Sequence, residues 1–221
     1  MIYTMKSPNI SAYLEASEFI DFDHPKVRII ADYLQERLMQ RVSLEPNKIL
    51  YDPELELARL TYLLVRDEVA FTYDIGKQDV TIKASDVLTK KHSGCFGKSH
   101  LLAALMRANG IPAAVCYQYL RLDDGDNAPL ILHALNAICP ESVGSWFRLD
   151  ARGNNDSVSA EFCIDEERIA YPVDPGRGET DLSLLFAKPD YSVIRVLNQY
   201  TDASVLRLHL PDKIAGRYWE S

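Results

Sequence analysis

Apolar positions recur through the first third of the chain at the spacing of an α-helix. After His24-Pro25, residues Val27, Ile30, Ala31, Leu34 and Leu38 fall on one face, the three-and-four rhythm of an amphipathic helix. Pro25 suits a first turn, where a missing N–H costs no hydrogen bond. A second helix is predicted from Asp52-Pro53. Asp52 serves as its N-cap, Glu54 and Glu56 sit at the positive end of its dipole, and Leu57, Leu60 and Leu64 form its apolar face. The pattern then changes. Ser93-Gly94-Cys95-Phe96-Gly97 runs into KSHLLAALMRANG, an Ala- and Leu-rich helix signal that stops at Gly110 and Pro112. Residues 113–122, 130–138 and 146–150 read as three strands, the first two joined by the polar turn Asp123-Asp124-Gly125-Asp126-Asn127. Further on, a Gly/Pro-rich loop over 172–178 precedes a helix predicted over 190–200, behind Pro189. Helices followed by antiparallel strands give an α+β class, with a central helix packed on the sheet and a helical region before it.

Nothing in the pattern divides the chain: there is no repeat, low-complexity tract or Gly/Ser linker. A single domain is expected over residues 1–221. Its mainly helical part runs to residue 72, its core over 73–155 and an extension over 156–221. With 221 residues, 47% hydrophobic and 25% charged, the chain can bury a full core and has an ordinary globular composition. The formal net charge of −8 argues against a nucleic-acid partner and against an anionic membrane surface. The N-terminus lacks the basic-then-apolar layout of a signal peptide, and no apolar run reaches the roughly 20 residues of a membrane span. A cytoplasmic location is therefore expected.

Four cysteines, Cys95, Cys116, Cys139 and Cys163, form no CxxC pair, so reduced thiols are expected in place of a disulfide framework or zinc knuckle. No metal or cofactor is expected. His92, Cys95 and His133 lack zinc-ligand spacing, and the acidic turn at 123–127 lacks the distal Glu of a calcium loop.

Cys95 differs from the other three by its position at the start of a helix. The unpaired N–H groups of a first helical turn stabilise a thiolate there. A helix N-terminus and a neighbouring imidazolium lower an ordinary thiol pKa of about 8.5 by several units. The Cys95 N–H could also donate to an oxyanion, and Gly94 and Gly97 would leave room for a substrate carbonyl. A thiol nucleophile needs a base and a group to orient it. His133, near the start of the second strand, and Asp150, at the end of the third, would share one sheet edge if those strands are antiparallel neighbours. His100 is five residues along the helix, about 140° around from Cys95, and cannot serve as the base. His92 reads as an exposed loop residue that could meet substrate. Arg152 could bind an acidic substrate group, although a structural ion pair is the favoured reading. Gly153 would permit the turn that fixes Asp150.

The pieces SGCFGKSHLLAALMRANGIPAAVCYQYL, LHALNAI and SWFRLDARGN resemble the core of the transglutaminase-like superfamily, whose fold is papain-like, in a small bacterial-type form. That resemblance implies Cys95 as nucleophile, His133 as general base and acid, and Asp150 as orienter. It also implies an oxyanion side chain upstream of the cysteine, for which Tyr73 and Gln78 are the candidates. The expected activity is acyl transfer at a peptide or carboxamide bond through a thioester. The substrate would be a protein, a peptide or a small amide, and hydrolysis is favoured over cross-linking. The family's usual His-Ala-Trp followed by an acid is replaced by His133-Ala134-Leu135-Asn136. The departure is expected to alter the substrate wall, around Asn136, and keeps open the alternative of a non-catalytic peptide-binding or assembly module.

Overall fold

The structure, a computed structural model, describes residues 3–44, 52–123, 125 and 128–215. Its elements run β1 (Thr4–Met5), α1 (Pro25–Leu44), α2 (Pro53–Glu68), β2 (Ala70–Phe71), α3 (Ala84–Lys90), β3 (His92–Ser93), α4 (Cys95–Ala108), β4 (Ala113–Arg121), β5 (Leu130–Ile138), β6 (Phe147–Leu149), β7 (Thr180–Asp181), β8 (Leu184–Leu185), α5 (Tyr191–Leu197) and α6 (Ala203–Arg207). Short 3₁₀ turns occupy Ile10–Leu14 and Pro175–Arg177.

Both early helices start where the sequence places them. Pro25 opens α1, which buries Val27, Ala31, Leu34 and Leu38. Asp52 accepts from the N–H groups of Glu54 and Leu55 at 3.0 and 3.2 Å, satisfying two donors that the first turn of α2 leaves without partners. The main sheet has the order β6-β5-β4-β7. Strands β4 and β5 pair antiparallel along their whole length, from Ala113 opposite Ile138 to Arg121 opposite Leu130. Both are apolar on each side because both faces are covered. Helix α4 lies on one face within the main core, with Leu101, Leu102 and Leu105 fully buried. Cys116 and Leu135 face the other side, where Tyr13 and Leu185 pack against them.

Two buried polar side chains fasten α4 to this sheet. Arg107, in its last turn, donates to the carbonyls of Ala113, Glu15 and Ala187. Asn136, on β5, donates to Ser99 O at 2.9 Å and Ala114 O at 3.1 Å. Asn136 is fully buried. The expectation that it borders substrate is thereby corrected: its amide ties helix to strand.

Several elements differ from expectation. The predicted helix over 190–200 ends at Leu197, and the chain re-forms a short helix, α6, under an Asp202 cap. Helix α3 and the two-residue strands carry no readable period, being too short for an apolar rhythm to repeat. Gly97, expected to leave space for substrate, is instead required by close approach. A Cβ there would lie 2.1 Å from Ser93 Oγ and 2.6 Å from Thr81 O. Within the acidic turn, Asp124, Asp126 and Asn127 lie outside the described residues.

Candidate active site

Three side chains from separate elements meet at one edge of the sheet. Cys95 opens α4 behind the extended residue Gly94, so its N–H falls in a first turn that has no intrahelical acceptor. His133 projects from β5. Asp150 follows β6 directly, and the pairing of Asn136 with Leu149 carries the two chains past each other so that His133 and Asp150 share an edge. His133 Nε2 stands 2.9 Å from Asp150 Oδ2, and both residues are buried.

Asp150 is held in place by the donors around it. Oδ2 also takes the Ala170 N–H at 3.2 Å, and Oδ1 takes the Arg152 N–H at 2.9 Å. Tyr62 Oη donates to its backbone carbonyl at 3.1 Å. Burial by itself would raise the carboxyl. The His133 charge and these donors outweigh it and hold the group below the usual carboxylate range. Gly153, at φ +106°, makes the turn immediately beyond.

Nε2 is turned to Asp150, and the imidazole lines the same cleft as Cys95. Burial opposes the imidazolium, but Asp150 and then Cys95 raise His133 to about 10. Tyr171 packs edge-on against the His133 ring at 5.2 Å and 88°. The half-buried Cys95 lies at the floor of a cleft of about 730 Å³, which His133, Tyr73, Arg152 and Tyr171 also line.

The remaining expected site residues separate. Tyr73 lines the cleft, its ring 3.9 Å from where a Gly94 Cβ would be. Burial, and then the nearby Cys95, push its hydroxyl up to about 12 against the opposing charge of Arg207, so it remains a donor at neutral pH. Gln78 is exposed, does not line the cleft, and uses its carbonyl to receive the Ala203 N–H at 2.6 Å. His92 is corrected from an exposed loop to a buried β3 residue whose Nδ1 meets Thr72 Oγ1 at 3.0 Å. Arg152 forms a bidentate pair with Asp74 at 2.6 and 2.8 Å, reaches Tyr171 Oη at 2.9 Å and stacks 4.0 Å over Phe71. Its guanidinium is thus spent on holding the cleft wall.

Sequence reasoning missed three contributors. Tyr171 and Arg207 come from the irregular last third of the chain, where no spacing relates them to Cys95. Lys98, one turn beyond Cys95, is buried and donates to the Val69 and Arg66 carbonyls at the end of α2. Burial pushes it down to about 7. Its place on the helix that Cys95 opens was the available signal.

Residues 47–151 match the family model of the transglutaminase-like superfamily. Among solved structures, a candidate cysteine protease from Cytophaga hutchinsonii is similar at 24% identity and a TM-score of 0.41, over 66% of this chain and 43% of that one. The periplasmic domain of TgpA from Pseudomonas aeruginosa matches at 21% identity and a TM-score of 0.43 in its ethylmercury-bound form, over 66% of this chain and 50% of that one. Without ethylmercury the values are 20% and 0.40, over 66% and 48%. The chain thus covers half or less of the length of these structures. A comparison with curated proteins gives no match.

Proposed function

We propose that this chain, whose residues 47–151 match the family model of the transglutaminase-like superfamily, is a cysteine-dependent acyl-transfer enzyme acting on peptide or carboxamide bonds. The observation that carries the reading is the His133 imidazole, bonded to buried Asp150 and lining the same cleft as the half-buried Cys95. An imidazolium so placed stabilises a thiolate, and Asp150 fixes the ring that must later move a proton.

In the proposed reaction the Cys95 sulfur adds to the carbonyl carbon. The oxyanion is received by the Cys95 N–H and the Tyr73 hydroxyl. Collapse breaks the C–N bond, the imidazolium gives its proton to the leaving amine, and a thioester remains. Water then attacks the thioester carbonyl, neutral His133 accepts its proton, and the departing sulfur restores the resting pair. Cys95 is only half buried under an open cleft, which favours water over an amine as the acceptor.

The test is a peptide and carboxamide pool incubated in oxygen-18 water, with and without a primary amine. Mass spectrometry reads the products, and Cys95→Ala serves as control. New carboxylates carrying heavy oxygen, absent in Cys95→Ala, are expected. Amine adducts in place of acids would overturn hydrolysis. Equal turnover in Cys95→Ala would remove the thiol mechanism, and substrate capture without turnover would favour a binding module.

A further inference from the structure

One wall of the cleft lies outside the matched residues 47–151. Leu197, Ala203, Leu206, Arg207 and Leu210 supply it. The wall is fastened to the core by backbone bonds: Ala203 N–H to Gln78 O at 2.6 Å, Val80 N–H to Thr201 O at 3.2 Å, and Leu132 N–H to Pro211 O at 2.7 Å. It is therefore built into the site beside the nucleophile.

The charged groups along the cleft are nearly all committed. Arg152 is paired with Asp74, and Asp79 with Lys90 at 2.7 Å. Glu179 receives the N–H groups of Arg121 and Asp174 and stands 3.9 Å from Arg177. The Arg121 guanidinium donates to the Arg177 and Ala128 carbonyls. Asp123, in the turn after β4, receives the Gly125 N–H at 2.8 Å. Arg207 is different. It is exposed and lies 5.1 Å over the Tyr73 ring. Among the described residues it has no carboxylate partner, in a chain with net charge −8. Tyr73, Arg207 and Cys95 line one cleft, with the guanidinium over the Tyr73 ring. A guanidinium presents a planar fork of donors suited to a carboxylate.

We infer that Arg207 is a specificity-determining residue that binds a carboxylate side chain on the residue whose carbonyl is attacked, so that the cleft prefers acidic acyl donors. This rests on Cys95 being the nucleophile. At an open surface such a pair contributes little. Under a bound substrate that displaces water, a charge-assisted hydrogen bond gives about tenfold discrimination or more.

The test needs no natural substrate. The probes are N-acetyl-Ala-Glu, -Gln and -Lys chloromethyl ketones, in which a sulfur–carbon bond forms at the methylene as chloride leaves. Second-order rates of Cys95 alkylation are measured in the wild type, Arg207→Gln and Arg207→Glu. The blocked N-terminus and the ketone leave the side chain as the one carboxylate. About tenfold preference for Glu over Gln is expected in the wild type, collapsing in Arg207→Gln and turning toward Lys in Arg207→Glu. A reversal of this kind cannot come from misfolding. Equal rates for all three probes, with Cys95 labelled, would overturn the role of Arg207 and leave the acyl-transfer reading intact. No labelling of Cys95 by any probe would overturn both.

Discussion

The core at residues 84–150 and the extension beyond residue 156 build the same cleft by different physical means. In the core, long regular elements set positions by register. The β5–β6 pairing aligns His133 with Asp150, and α4, held by Arg107 and Asn136, brings its first residue to that edge. In the extension, short helices and turns are held by individual bonds, such as the Asp202 cap and the Ala203–Gln78 contact. They deliver Tyr171 against the imidazole and Arg207 over Tyr73. The contrast teaches a division of labour. On the proposed reading, the part whose geometry is dictated by repeating structure carries the reacting groups, and the part assembled contact by contact carries selection among substrates.

If that division holds, substitutions in the core should remove turnover and those facing the extension should grade it. Asp150→Asn is expected to have the larger effect, about 10³–10⁴-fold in kcat/KM, the scale on which an orienting carboxylate acts. Because Asp150 is the largest influence raising His133, its loss lets the imidazolium deprotonate at lower pH. The alkaline limb of the pH–rate profile should therefore move to lower pH than in the wild type. An unchanged limb would show that Asp150 does not set the His133 charge. Tyr73→Phe removes the proposed oxyanion donor and retains the ring beneath Arg207. A fall of about 10²-fold in kcat with little change in KM is expected. A rise in KM alone would move Tyr73 from the chemistry to the substrate wall.

The same division explains what the sequence disclosed. Helix α4 and strands β4 and β5 are long enough for their periods to be read, so the α+β class, the helix-on-sheet arrangement and the meeting of His133 and Asp150 could be expected from spacing. Asn136 was misjudged because a polar residue in a strand gives no sign of which face it takes, and only the β4–β5 register buries it under α4. His92 was misjudged for a related reason: two residues of β3, paired with β2, are enough to bury it but too few to show a pattern. Helices α3 and α6, of seven and five residues, are shorter than isolated helices that hold in water. Tertiary contacts form them, and those contacts have no local signature. Tyr171 and Arg207 could not be named from sequence, since they reach the site only after the extension folds back over the core.

The central claim is that Cys95 is a nucleophile activated by His133. The most direct test is the rate of Cys95 alkylation by iodoacetamide at neutral pH, mapped by mass spectrometry, in the wild type and in His133→Ala. The account predicts that Cys95 reacts much faster in the wild type than in His133→Ala. Equal rates in the two proteins would contradict it.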